Sequence, residues 1–565
     1  MENDKTVQGA NQSANMYSYQ EDQDQKYQFA QTGAIRRSLG EGNPSAFPEN
    51  QINNISSMNN ERAVGQNSII IHIDQTPPLY WMFFVIFGIF QVIFIILLGC
   101  YYSKDNLINL ELDDENGEDI NKNGARDEIT KNYKIFQEIN VMIFLGFGFL
   151  RSFLKHHSWT SIAITLMGGI VAFEFGLFTL ICWGAIFKRD WNNGIFNFQH
   201  FLDANYCAAT IVISLGAVLG KLSLPQYLVM IFLETIFSTL NYVLLRQTMK
   251  IIDVGGALTV HLFGSIFGGM FSLVSSIMKN ERERIRNSPH LGSNYNSNIF
   301  ALFGTLLLIT YFPSFNISLI KDYSDKFKGV INTYLAILGS IVGSFCFSPF
   351  FNKGKIRIKD ILNSCFSGGI IVAGSCHIIN QLWASLILGV GSAEITTFLC
   401  NILSDKLKVY GYHDTSDIIY YHGIPGFLGG IVTTIFVGNL LQDKNETERN
   451  NFTDKNVYDY IGTIMNYTFE YNNNTFNSTD LSKYAGIHFS AIFITLAIAI
   501  ASGFFAGFLI KFCNCNFAIR YFNDSEYFDV TNNESFPWDD EPIDVQSNSR
   551  IGNGEKIKIN GTYKI

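Results

Sequence analysis

Between residues 79 and 512 the chain is a succession of long apolar runs separated by short polar loops. The first run, Leu79 to Tyr102, follows Pro77-Pro78 and is long enough to span a bilayer, which takes about 20 mainly apolar residues. A polar, acidic stretch follows from Ser103 to Lys134. Eleven more runs lie near 135–154, 159–187, 204–220, 225–245, 254–278, 299–320, 329–350, 360–376, 379–401, 415–441 and 486–512. The pattern therefore predicts an all-α polytopic membrane protein with twelve spans, and the even count puts both termini on one side.

Two of these runs open on the same pair of ionisable residues. Asp253 stands eight residues before His261, and Asp414 eight before His422. In a helix that spacing is about 12 Å of rise, so each carboxylate is expected near a membrane surface and each histidine near the midplane. Ionisable groups inside a membrane span point to function, and their recurrence in two halves points to one site built from an internal repeat. Two polar helix ends with histidines against neighbouring helices are the plain alternative.

Charge distribution orients the spans. Arg151 and Lys155 share one short loop. Lys279, Arg282, Arg284 and Arg286 share a second. Lys353, Lys355, Arg357 and Lys359 make a third, and Lys406 and Lys408 a fourth. All four fall on the side of the N-terminus, which the positive-inside rule makes cytosolic. The opposite side holds a loop with sequons at Asn445, Asn451, Asn466, Asn473 and Asn477, expected as glycosylation sites outside the cytosol. Between the first two spans, Asp119, Asn121, Asn123 and Asp127 have the ligand spacing of a calcium loop. Thr130 stands where its bidentate glutamate belongs, so an ordinary surface turn is the favoured reading.

Composition adds boundaries rather than chemistry. Residues 1–75, rich in Gln, Asn, Ser and charge, are expected to be a disordered cytosolic region, 79–512 the transmembrane domain, and 513–565 a cytosolic tail. The net charge of -9 comes largely from polar ends and loops, and no long basic block suits nucleic acid. Of the cysteines, Cys100, Cys182, Cys207, Cys346, Cys365, Cys376 and Cys400 fall in or beside apolar runs, while Cys513 and Cys515 lack a second pair for zinc. No cofactor or metal is expected, and no nucleophile–base pair or phosphate loop supports a soluble enzyme. Gly216 and Gly220, Gly264 and Gly268, and Gly503 and Gly507 have the small-xxx-small spacing of close helix contacts. Gly423, Gly426, Gly429 and Gly430 are expected to let the second histidine helix pass against another.

Several stretches resemble the Rh branch of the ammonium transporter superfamily: Met142 to Leu150, Gly216 to Lys221, Pro313-Ser-Phe-Asn316, Ile331 to Tyr334, and the tail from Asp524 to Phe528. Asp253-x-Gly-Gly with His261 looks like the first pore-histidine motif, and His413-Asp-Thr415 with His422-Gly-Ile-Pro-Gly426 like the second. The likeness runs in order from about residue 79 to about 540. It implies one extra N-terminal helix, two inverted five-helix halves, a long final helix, and a homotrimer with a narrow pore in each subunit. It also implies passage of ammonia derived from ammonium, with methylammonium or carbon dioxide as further permeants, in the plasma membrane with both termini cytosolic. His261 and His422 correspond to the twin pore histidines, Asp253 and Asp414 to supporting carboxylates, and Tyr206 and Phe315 to the aromatic gate, with Phe312 in the vestibule.

Some positions depart from the family pattern. Tyr206 replaces a phenylalanine, so a wetter gate is expected. Tyr242 stands where relatives can carry an outer-vestibule glutamate. Asp417, Tyr420 and Tyr421 occupy the turn before His422. Glu174, Glu234 and Glu394 lie within apolar runs, where pairing between helices is expected. The competing readings are a carbon dioxide channel and a non-transporting structural or sensory subunit.

Overall fold

The structure is a computed structural model that describes residues 77–101, 130, 132–188, 198–275, 285, 288, 290–320, 322–439, 478–512, 521–524 and 527–528. The calcium-loop residues, the five sequons, residues 1–75 and most of the tail lie outside the described residues. The chain divides into two compact units, residues 1–84 and 85–565; of the first, only the start of a helix from Pro77 is described.

Every regular element among the described residues is helical. In chain order they are α1 (Pro77–Tyr101), α2 (Asn132–Phe153), α3 (Ser158–Lys188), α4 (Phe198–Val218), α5 (Leu224–Thr248), α6 (Ala257–Ser275), α7 (Tyr295–Ile317), α8 (Tyr323–Phe351), α9 (Ile358–Ser364), α10 (Ser367–Ile371), α11 (Leu382–Val409), α12 (Ile419–Asn439) and α13 (Ser478–Phe512). Ten of them, α2 to α8 and α11 to α13, are long and apolar enough to cross a membrane. The 25-residue α1 carries a further apolar stretch, Val85–Gly99. Large apolar side chains such as Ile95, Leu166, Phe303, Trp383 and Phe493 are exposed on the helices. Apolar surface of that extent needs a lipid environment, and the protein is an integral membrane protein.

The run at 360–376 is not a continuous span. It breaks into α9 and α10, followed by turns to about residue 378. Backbone carbonyls released by the break are taken up by side chains of neighbouring helices. Thr305 Oγ1 donates to Leu362 O at 2.8 Å and Ser340 Oγ to Cys365 O at 2.6 Å. Asn316 Nδ2 donates to Gly369 O at 3.0 Å, and Asn332 Nδ2 to both Cys376 O and Ile379 O at 2.8 Å. Broken backbone at membrane depth is tolerated where protein satisfies it in this way.

The small-residue positions sit at close helix contacts. A Cβ at Gly264 or Gly268 would lie 2.6 Å from the carbonyl oxygen of Thr210 or Ser214 on α4, and one at Gly503 would lie 2.6 Å from that of Phe267 on α6. Helix α6 is thereby held against α4 and α13. Glu174 accepts from Gln91 Nε2 at 2.7 Å, and Glu234 from Ser214 Oγ at 2.5 Å, so both pair between helices.

Candidate functional site

Both histidine helices begin later than their apolar runs, at 257 and 419, because each opens on a carboxylate cap and an irregular turn. Asp253 is 2% exposed, and its Oδ1 accepts from Leu258 N at 3.3 Å. Its Oδ2 accepts from Thr259 N at 2.9 Å and Thr259 Oγ1 at 2.8 Å. A helix start leaves backbone N–H groups unpaired, and a carboxylate there satisfies them and suits the local dipole. Gly256 has φ 70°, a left-handed conformation that disfavours a side chain, and reverses the chain into the helix. In the second motif, Asp414 Oδ2 accepts from Ile419 N at 3.1 Å. Burial pushes the carboxyl groups of Asp253 and Asp414 above the usual carboxylate range.

After each cap comes a wide π-helical turn, Ala257–Leu262 and Ile419–Gly423, and each turn contains the histidine. Such turns are frequent at functional sites. Here the two imidazoles meet: His261 Nδ1 and His422 Nδ1 are 3.3 Å apart, and the rings lie 5.5 Å apart and nearly parallel. Gly426 makes the approach feasible, since a Cβ there would come within 2.8 Å of Ala257 O and 3.3 Å of the His261 Cβ.

Aromatic rings continue the line on both sides. Tyr206 and Phe315 are stacked at 4.5 Å between centroids. Phe315 meets His261 edge to face at 6.2 Å, and Phe312 stacks on His261 at 5.8 Å. Beyond the histidines, Phe366 and Phe147 lie 5.4 and 5.7 Å from the His422 ring. The structure thus gathers Tyr206, Phe315, Phe312, His261 and His422, all buried, into one column, with Asp253 and Asp414 behind its two histidine turns.

The Tyr206 hydroxyl departs from the expectation of a wetter gate. It donates within the protein, with Val254 O at 2.5 Å and Phe315 O at 2.8 Å, and Ser318 Oγ lies 3.0 Å away. The ring therefore acts as a phenylalanine would, with its polar tip tied to the backbone. Tyr242 donates to Asp203 Oδ1 at 2.7 Å and accepts from Arg246 Nη1 at 3.0 Å. A carboxylate thus stands one helical turn before Tyr206 although the glutamate is missing.

Beside His422 opens a cavity of about 230 Å³, lined among others by Phe147, Arg151, Lys359, His413 and Asp414. Lys221 borders this region, with Nζ donating to Ala217 O, His413 O and Ser272 Oγ, and burial pushes its ammonium down to about 7. Lys359 is paired with Asp417, which also accepts from Ser404 Oγ at 2.7 Å. The tail docks nearby: Asp524 accepts from Thr160 N and Oγ1 at 2.7 Å, and Phe522 N donates to Gly220 O at 3.0 Å.

Phe147, Phe366 and the buried Arg151 escaped sequence reading. Phe147 lies inside one quoted family-like segment, and Arg151 registered only as a loop charge. Phe366 carries no local signal, because the break that places it is set by other helices. Among the described residues no group of His, Cys, Asp and Glu could hold a metal ion.

Residues 119–511 match the family model of the Ammonium Transporter Family. The chain is 30% identical over 418 residues to ammonium transporter Rh type C-like 2 of Danio rerio, covering 71% of this chain and 79% of that one. It is 27% identical over 426 residues to human ammonium transporter Rh type C, covering 74% and 83%. In fold it is similar to Rh50 of Nitrosomonas europaea, a protein of the Rhesus family of channels, with a TM-score of 0.57 at 23% identity, over 71% of this chain and 93% of that one. Helical architecture, motif order and sequence agree, and the chain belongs to the ammonium transporter family.

Proposed function

We propose that this protein passes ammonia, taken up as ammonium, along the column from Tyr206 to His422. The observation that carries the reading is the unbroken succession of the stacked Tyr206–Phe315 pair, Phe312, the His261–His422 pair and Phe147 with Phe366. Aromatic faces attract a small cation at the mouth. Taking that cation bare through an apolar tube is prohibitively costly, so ammonium gives its proton to water at the mouth and neutral ammonia proceeds. The histidine pair offers ammonia one polar stop, since a neutral imidazole both donates and accepts. On the far side ammonia regains a proton from water in the cavity beside His422.

The two Asp–turn–His units support an internal repeat, with α1 to α8, the broken α9–α10 segment, and α11 to α13 making twelve crossings. The basic loops support a cytosolic location for the cavity side. A homotrimer in the plasma membrane, with the sequon-bearing loop outside and glycosylated, completes the proposal. Stopped-flow uptake of methylammonium and ammonium into liposomes holding the purified protein tests it, with carbon dioxide measured in parallel. No flux above that of empty liposomes would end the transport reading. A tag on the N-terminus that proves accessible from outside intact cells would reverse the orientation.

A further inference from the structure

The cavity beside His422 has an uneven charge. Among the described charged residues lining it, Arg151, Lys359 and Lys408 are cations and Asp414 is the one carboxylate. Lys359 is paired with Asp417, and Lys408 with Asp405 at 3.0 Å. Arg151 differs from both. It is 2% exposed, Nη2 donates to the Ile213 carbonyl at 3.0 Å, and Nη1 has no hydrogen-bond partner among the described residues. Asp414 opposes its charge but also faces Lys221 and Lys359. A guanidinium stays charged at every physiological pH.

Its position relative to the histidines is fixed. The guanidinium carbon lies 5.8 Å from the centroid of the Phe147 ring, and that ring lies 5.7 Å from His422. The neighbouring helix leaves room for it: a Cβ at Gly216 would come within 3.0 Å of both Nη1 and Nη2. A permanent cation therefore stands one aromatic ring away from the histidine pair, in a cleft with low-dielectric walls.

We propose that Arg151 is a specificity-determining residue, whose buried guanidinium keeps the cavity beside His422 positive and so bars alkali cations on that side from the histidine pair while neutral ammonia passes. This rests on the transport reading above. Fixed charge in such a cleft changes the local concentration of small ions by tenfold or more, and leaves an uncharged molecule unaffected. The aromatic pair restricts cations at the opposite mouth; Arg151 would do so at this one, where His422 itself lines the cavity.

The test uses the full chain in liposomes and reads the ratio of potassium to methylammonium permeability. Arg151→Met removes the charge at similar length, and Arg151→Lys retains it. Arg151→Met should raise the ratio about tenfold, and Arg151→Lys should leave it near that of the wild type. Lys408→Glu reverses a charge at the partly exposed rim without disturbing buried packing, and should raise the ratio by a smaller factor. If Arg151→Met assembles and keeps the wild-type ratio, the proposal is wrong. If it does not assemble, Lys408→Glu decides, and an unchanged ratio there overturns it. A wild-type protein that moves no methylammonium would instead refute the transport reading itself.

Discussion

Replacing Tyr206 with phenylalanine separates the ring of the proposed gate from its hydroxyl. The ring stacks on Phe315 at 4.5 Å and nearly parallel, and nothing in that contact needs the oxygen. The hydroxyl is held by Val254 O at 2.5 Å and Phe315 O at 2.8 Å, inside a residue with no exposed surface. Its loss leaves a buried carbonyl short of a donor, which costs about 1–3 kcal/mol of stability. Since the polar tip is turned to the backbone, flux should stay close to that of the wild type. The assay pairs thermal unfolding of the detergent-solubilised protein with methylammonium uptake in liposomes. A variant as stable as the wild type that loses most of its flux would refute the argument, because the hydroxyl would then be facing the permeant.

Other substitutions test the rest of the column. His261→Ala and His422→Ala each leave a buried imidazole without its partner, a loss of about 1–3 kcal/mol, and should lower ammonium-dependent flux or admit potassium while assembly survives. Stopped-flow uptake with parallel potassium measurement reads both effects, and wild-type behaviour in both variants would remove the pore from between these residues. Asp253→Ala strips three hydrogen bonds from the start of α6 and should be at least as damaging to flux as either histidine change; full activity would show that the helix start does not depend on the carboxylate. Asn332→Ala orphans the carbonyls of Cys376 and Ile379 and should lower stability by about 2–4 kcal/mol, seen as an earlier thermal transition.

Much of the architecture was already legible in the chain. Apolar run length alone located the ten long helices and α1, because a membrane span has to be long and apolar whatever it packs against. The Asp-x₇-His spacing, recurring in two halves, singled out the histidines that meet at 3.3 Å. What sequence could not settle depends on groups brought together from distant parts of the chain. The run at 360–376 reads as a helix, yet Thr305, Ser340, Asn316 and Asn332 supply the donors that make its broken backbone stable. That break puts Phe366 against His422. The Tyr206 hydroxyl reads as a wetter gate until Val254, 48 positions away, is found accepting from it. Arg151 reads as a loop charge until the space left by Gly216 on α4 is seen to bury it. Periodicity and composition are local properties and fix local structure; a hydrogen-bond partner or a neighbour's missing side chain is known only once the helices are packed.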